Sequence, residues 1–147
     1  MELGPKQRAW VTALRSGEYK QTLGELQASS NSFCCLGVAC MVAMPPEDRG
    51  TNDLGYLVGY DLGHQNNALN EIGLISTNGT PTYCPEDRFE DLVRYVKSLW
   101  LPDFDHGFGL PPESLSLTHL NDEVKLSFEQ IADVLENFPD LYFKESK

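Results

Sequence analysis

The chain lacks any long hydrophobic run. Its apolar stretch from Leu36 to Met44 is far shorter than the ~20 apolar residues that a membrane-spanning helix needs. The sequence also lacks an initial basic segment followed by an apolar one, which is the pattern of a secretory signal peptide. These absences predict a cytoplasmic protein with no membrane partner, whose thiols are reduced by default.

Basic residues are also scarce. The chain carries 11 Lys and Arg against 22 Asp and Glu, a formal net charge of −11. This charge disfavours nucleic acid as a partner, because its phosphates would be repelled overall. The acidity fits either a well-solvated surface or an acidic face that binds a basic patch on a partner. The acids are dispersed rather than in blocks, which favours the solvated surface.

Metal and phosphate motifs are missing as well. The four cysteines form no pair of CxxC-type knuckles, and the adjacent Cys34 and Cys35 would chelate one ion awkwardly. The glycines of Gly55–Gly59 do not have the spacing of a phosphate-binding loop. The sequence therefore predicts no metal site and no cofactor.

What the chain does contain indicates one globular domain over residues 1–147. Its 147 residues are 41% hydrophobic, enough to bury a core without disulfide or metal cross-links. Mixed helical and alternating patterns predict an α+β fold, with about four to five helices packed on a small antiparallel sheet.

Local signals place these elements. Helical spacing and capping residues predict helices over 5–16, 35–44, 66–72 and 85–100, a helical turn at 115–120, and a last helix that begins after a Ser127–Gln130 capping box. Alternation predicts a hairpin over 18–34, a second hairpin around Asn78-Gly79, and a short edge strand at Leu141–Phe143.

Three of the four cysteines lie in Phe33-Cys34-Cys35-Leu36-Gly37-Val38-Ala39-Cys40, at a predicted junction between a loop and a helix. Gly37 costs helix propensity, so its position predicts close packing of this helix against another backbone. A thiol pair at such a junction is a reactive centre, half of a metal site or a core contact.

Three segments carry a resemblance. They are Trp10–Gln21, the Phe33–Cys40 motif, and Leu117-Thr118-His119-Leu120-Asn121-Asp122 followed by Ser127–Glu136. In order and spacing the chain resembles a family of small uncharacterised proteins of tailed bacteriophages and prophages. The resemblance implies a viral origin and action in the cytoplasm of an infected bacterium. It implies no activity, and the 87–100 helix looks like an insertion relative to shorter members.

The resulting prediction is a non-enzymatic phage accessory protein that binds a host protein or a small molecule such as a defence signal. A virion or assembly component is one alternative. A hydrolase is another, because the cysteine motif is similar in layout to that of bacterial papain-like cell-wall peptidases. There Cys35 would be the nucleophile, His119 the base, and Asp122 or Asn121 the group that orients it.

Each candidate residue also has a structural interpretation. Cys34 and Cys35 pack like small hydrophobic residues when they are buried. Asn121 and Asp122 form either the polar floor of a ligand pocket with Cys34, or a turn that satisfies backbone donors. Tyr56 and Tyr60 form either a stacking platform or anchors for their own loop.

Overall fold

The computed structural model of the chain describes residues 2–44, 47, 51, 53–57, 66–76, 78–83, 85–99 and 115–144. Within these ranges the fold is α+β, as predicted from the sequence. The elements are, in chain order, α1 (Pro5–Arg15), β1 (Lys20–Gln21), β2 (Gln27–Ser29), β3 (Ser32–Phe33), α2 (Cys35–Ala43), α3 (Asn66–Ile72), α4 (Glu86–Leu99), α5 (Leu117–Asp122), α6 (Phe128–Asn137) and α7 (Pro139–Tyr142).

The core forms around α2, which packs against α1, α3 and α5, while α1 also packs against α6. The residues from Cys35 to Cys40 are all buried, so this part of α2 is enclosed by the rest of the fold, whereas its last three residues are half-buried. The indole nitrogen Nε1 of Trp10 donates to the Cys35 carbonyl at 3.0 Å, which links α1 to the first turn of α2. A helix that is apolar all round is stable only in such a central position.

The sheet corrects the predicted antiparallel arrangement. Its strand order is β1-β3-β2, and β3 pairs antiparallel with β2 but parallel with β1. Only the β2–β3 part of the predicted 18–34 hairpin exists, with its turn at residues 30 and 31. β3 therefore lies in the centre of the sheet, and Leu26, in the segment that leads into β2, is buried in the core.

Two further predictions were wrong in the C-terminal half. Among the described residues of 74–83, Leu74 forms an isolated bridge with Phe143 instead of pairing within a hairpin. Most of the predicted edge strand is helical, because Pro139 opens α7 and the helix runs to Tyr142. With α7 and α5 counted, the described residues contain seven helices rather than four or five.

The predicted capping box of the last long helix and the predicted apolar face of α4 were confirmed. Ser127 Oγ accepts the backbone N–H of Gln130 at 3.1 Å, and Gln130 Oε1 accepts that of Ser127 at 2.9 Å, so the capping box is present. On α4 the side chains of Phe89, Leu92 and Val96 form the buried face. None of the helices in the described ranges combines the length and apolar composition needed to cross a membrane.

One polar cluster joins α4 to the corner between α6 and α7. The guanidinium of Arg88 donates twice to the Asp140 carboxylate, at 3.0 and 2.8 Å, and once to the Asn137 carbonyl at 2.9 Å. It also lies 4.9 Å from the centre of the Phe138 ring. The hydrogen bond from Arg88 lowers the pKa of Asp140, because it stabilises the charged carboxylate.

This cluster predicts a small loss of stability in acid. Because the pKa of Asp140 is lowered in the folded state, the pair stabilises the protein above the ordinary carboxyl pKa. That contribution is lost as pH falls through the lowered value. Both side chains are about a third exposed, so we expect less than ~1 kcal/mol. Urea unfolding at a series of acidic pH values should show this pH-dependent loss of stability in the wild type and not in Arg88→Met. Equal pH profiles of the two proteins would contradict the expectation.

Candidate functional site

The cysteine motif lies at the start of α2, as predicted. Cys34 is the N-cap residue, and its sulfur Sγ accepts the backbone N–H of Gly37 at 3.4 Å. Both Cys34 and Cys35 are buried, with 1% and 0% of their surface exposed. The thiol that contacts the positive end of the helix is therefore that of Cys34, whereas the hydrolase hypothesis assigned this role to Cys35.

Cys35 is held by three groups from distant parts of the chain. Its thiol donates to the Leu117 carbonyl at 3.6 Å, and its backbone N–H donates to Asn121 Oδ1 at 3.3 Å. Its carbonyl accepts from Trp10, as described above. Each polar group of Cys35 thus has a partner inside the protein, and these contacts connect α1, α2 and α5.

The electrostatic environment favours the protonated thiol. Burial raises the pKa of Cys35 well above its ordinary value, and the neighbouring Cys34 and Asp122 raise it further. A nucleophilic cysteine needs the opposite shift, since the thiolate is the reactive form. The surroundings of Cys35 therefore suit a structural thiol better than a nucleophile.

We expect Cys35 to resist alkylation in the folded protein. At neutral pH an excess of iodoacetamide should leave the Cys35 peptide unmodified, as read by peptide mass spectrometry, until denaturant unfolds the chain. The physical reasons are its full burial and its raised pKa. Modification of Cys35 in native buffer, at the rate of the unfolded chain, would contradict this and would support the hydrolase.

Asn121 is the centre of a buried polar network. Its side chain is fully buried, and Oδ1 accepts from Gln21 Nε2 at 2.8 Å as well as from the Cys35 N–H. Its Nδ2 donates to the Thr22 carbonyl at 2.9 Å and to Asp122 Oδ1 at 2.7 Å. Two acceptor and two donor positions are the full capacity of the amide, so a ligand would have to displace an internal bond.

The network fixes the segment that follows β1. Gln21 Nε2 also donates to the Leu126 carbonyl at 2.7 Å, and Asp122 Oδ1 accepts the N–H of Gly24 at 2.9 Å. The Asn121-Asp122 pair therefore connects this segment to α2 and to the α5–α6 connection. The sequence singled out Asn121 and Asp122 but missed Gln21, because nothing local marks its contact with a residue 100 positions away.

The proposed catalytic residues are only partly brought together. Cys35 contacts Asn121, and Asp122 lies beside Asn121. His119 is half-buried on α5, and its described hydrogen bonds are those of its backbone, with its N–H donating to Ser116 Oγ at 3.2 Å. Within the described part of the chain no hydrogen bond joins the His119 imidazole to Cys35 or Asp122. The catalytic assignment therefore stays a prediction, and the geometry gives it no support.

A second buried donor lies beside this region. The Tyr142 hydroxyl donates to the Leu115 carbonyl at 2.7 Å, and its ring is fully buried. Burial strongly raises the pKa of Tyr142, so the phenol is protonated and can donate. Cys35 and Tyr142 together hold the backbone at Leu115 and Leu117, on either side of Ser116, the N-cap of α5.

The other candidates are separated from this network or lie outside the described residues. Tyr56 is half-buried in the segment before Leu57, whose N–H donates to Gln27 Oε1 at 2.8 Å. Tyr60, and with it the proposed stacking platform, falls outside the described ranges. Among the residues that the structure does describe, no group of three or more His, Cys, Asp or Glu side chains is placed to hold a metal ion.

An open groove of about 430 Å³ lies along α1. None of the residues predicted as a site contributes to it. Its lining residues are Glu2, Leu3, Arg8, Val11, Thr12 and Glu136. The lining includes apolar, acidic and basic side chains, and this mixture does not select one ligand class.

Comparison with known proteins assigns the chain to a family. The profile of a domain of unknown function, DUF8296, matches residues 4–139, which is nearly the whole chain. The chain belongs to this family. The match includes the cysteine motif, Asn121-Asp122 and α6, so the network described above lies within the family's domain. No curated protein and no solved structure shows significant similarity to the chain.

Proposed function

We propose that this member of the DUF8296 family is a phage-encoded accessory protein that binds a host protein or a small-molecule defence signal in the cytoplasm of the infected bacterium. The phage origin rests on the three motifs that resemble small phage proteins. The binding role rests mainly on one observation, which is that the Cys35 thiol is fully buried and bonded to the Leu117 carbonyl.

That observation supports binding over hydrolysis for a physical reason. Catalysis by Cys35 would require an ionised, accessible sulfur with a base within hydrogen-bond reach. Here burial raises the pKa of the thiol, and its hydrogen bond goes to a backbone carbonyl. These contacts favour a structural role for the cysteine motif, and the proposal therefore assigns binding to the outer surface.

The acidic composition bears on the kind of protein partner. With a net charge of −11, the chain would associate fastest with a basic surface, because opposite fields steer encounter. A second candidate, a virion or assembly component, predicts copurification with phage particles. The hydrolase remains a third candidate that depends on Cys35 reactivity.

The direct test is binding with purified protein. Tagged protein would be incubated with bacterial lysate and, separately, with a panel of cyclic nucleotides. Retained proteins would be identified by mass spectrometry and then purified, and each affinity measured by calorimetry. We expect one saturable ligand at micromolar concentration or below. Retention of no protein and no nucleotide would contradict the proposal.

Surface variants sharpen this test. The most exposed large apolar side chains of the described residues are Leu23, Leu54, Ile75 and Tyr83. Each would be changed to Ser, with the exposed Glu90→Ser as the matched control. A side chain at the centre of a protein interface should cost roughly tenfold or more in affinity, whereas Glu90→Ser should cost little. Equal affinity for all five variants would contradict an apolar protein interface.

A further inference from the structure

Ser76 and Thr80 surround one side-chain oxygen, Asn78 Oδ1, with hydrogen-bond donors. Asn78 Oδ1 accepts from Ser76 Oγ at 2.8 Å and from Thr80 Oγ1 at 2.7 Å. The Thr80 N–H is shared between Ser76 Oγ at 2.7 Å and Asn78 Oδ1 at 3.2 Å. The bond from Thr80 N, two residues on, closes an Asx turn, which holds the Asn78 carboxamide alongside its own backbone. The side chain is also exposed to water.

An asparagine followed by glycine can react with its own backbone. The Gly79 nitrogen attacks Asn78 Cγ and gives up its proton to solvent, so that a C–N bond forms and negative charge develops on Oδ1. The carboxamide nitrogen takes up a proton and leaves as ammonia, which closes a succinimide. Water then opens the ring to aspartate or isoaspartate, so one water is consumed, one ammonia is released and nothing is oxidised or reduced.

We propose that Asn78-Gly79 is a deamidation site in the folded protein, with Ser76 Oγ and both Thr80 donors stabilising the charge on Oδ1. Donors already directed at an oxygen that becomes negative lower the barrier in the way an oxyanion hole does. The Gly79 N–H donates to the Ser76 carbonyl at 3.1 Å, and this bond must open before the nitrogen attacks.

Packing accounts for the presence of the reactive dipeptide. Gly79 has φ of +75°, and a Cβ at this position would lie 2.6 Å from the Leu117 side chain. Only glycine fits without a shift of Leu117, since real Cβ contacts are not this short and the backbone is in the left-handed region. The steric protection that a larger residue after Asn78 would give is therefore excluded by the fold.

The reaction would alter the start of α5. The Leu117 N–H donates to the Gly79 carbonyl at 3.0 Å, and the Thr118 N–H to the Asn78 carbonyl at 3.4 Å. In isoaspartate the backbone passes through the former side chain, and the former Asn78 carbonyl becomes a free carboxylate. The register of these two bonds is then lost, which loosens the helix that carries Asn121.

The test follows the folded protein in mildly alkaline buffer by peptide mass spectrometry, with enzymatic methylation of isoaspartate as the second readout. Asn31, which is exposed and followed by Ser32, is the internal reference. We expect Asn78 to react in the native state. Thr80→Val should slow it by roughly tenfold relative to Asn31, and Thr80→Ser should restore the rate.

The unfolded chain provides the decisive control. In denaturant the three donors are lost, so wild type and Thr80→Val should react at Asn78 at the same rate. An intact Asn78 in the native protein, together with reaction in denaturant, would overturn the proposal. An unchanged native rate in Thr80→Val would overturn it too, because the donors would then have no effect. Neither result depends on the binding partner.

Discussion

Gly37→Ala should lower the free energy of unfolding by about 3 kcal/mol or more, one of the largest effects that we expect from a single added methyl group. A Cβ on residue 37 would lie 2.0 Å from the Leu26 carbonyl oxygen and 3.3 Å from the Phe33 Cβ. The nearest obstacle is backbone, which cannot rotate away. The Leu26 carbonyl also accepts the Cys34 N–H at 3.2 Å, so moving it would disturb the cap of α2.

Whether Gly37→Ala raises or lowers the free energy of unfolding separates helix propensity from steric overlap. In an exposed helix, Gly→Ala stabilises by about 1 kcal/mol through helix propensity, so steric overlap must exceed that gain. Gly4→Ala is a control for the added methyl group alone, because Gly4 is the N-cap of α1 and its Cβ would meet only Gln7 Oε1 at 3.9 Å, an ordinary contact. Urea unfolding of both variants should show a large loss for Gly37→Ala and less than about 1 kcal/mol for Gly4→Ala. Equal midpoints would contradict the close approach of α2 to Leu26.

Removing residues 140–147 should abolish cooperative folding. The family profile ends at residue 139, but Leu141, Tyr142 and Phe143 beyond it are 0%, 0% and 1% exposed. Burial of such side chains contributes about 1.5–3 kcal/mol each, so their combined loss is comparable to the total stability of a small domain. The folded unit therefore extends at least to Lys144, whose N–H donates to the Gly73 carbonyl at 2.7 Å.

Two further proteins make this expectation specific. A chain that ends at Lys144 keeps every contact described for the C-terminal segment and should still unfold cooperatively. Tyr142→Phe keeps the ring but leaves the buried Leu115 carbonyl without its donor, which should cost roughly 1–2 kcal/mol. Circular dichroism during urea titration measures the unfolding midpoint of each truncated chain and of Tyr142→Phe. A chain truncated after Pro139 that unfolds cooperatively near the wild-type midpoint would contradict the expectation.

Variants at Asn121 and its partners distinguish a structural network from a ligand pocket. If the Cys35–Asn121 network is structural, changes at its members should act on unfolding and leave partner affinity unchanged in the folded fraction. If it were a ligand pocket, a ligand would have to replace bonds such as that between Gln21 and Asn121, at 2.8 Å. The displaced buried groups would cost about 1–3 kcal/mol each, so weak ligands would not compete.

Much of the fold was determined by the sequence within short stretches of chain. The Ser127–Gln130 capping box, the apolar face of α4 and the start of α2 at Cys35 rest on residues within about four positions of each other. The prediction that Gly37 packs closely against another backbone was also confirmed. Glycine lowers helix propensity, and at this position the close approach of the Leu26 backbone leaves no room for a side chain.

Tertiary structure alone decided what those signals left open. Leu141–Phe143 has the composition of a strand, yet Pro139 and the burial of Tyr142 make it a helix followed by a single bridge to Leu74. The parallel pairing of β1 with β3, and the partners of Cys35 and Asn121, join residues up to 100 positions apart. Such pairings depend on how whole elements pack. Local sequence signals therefore predicted that Cys35 begins a helix, and only the packed structure placed its thiol against the Leu117 carbonyl.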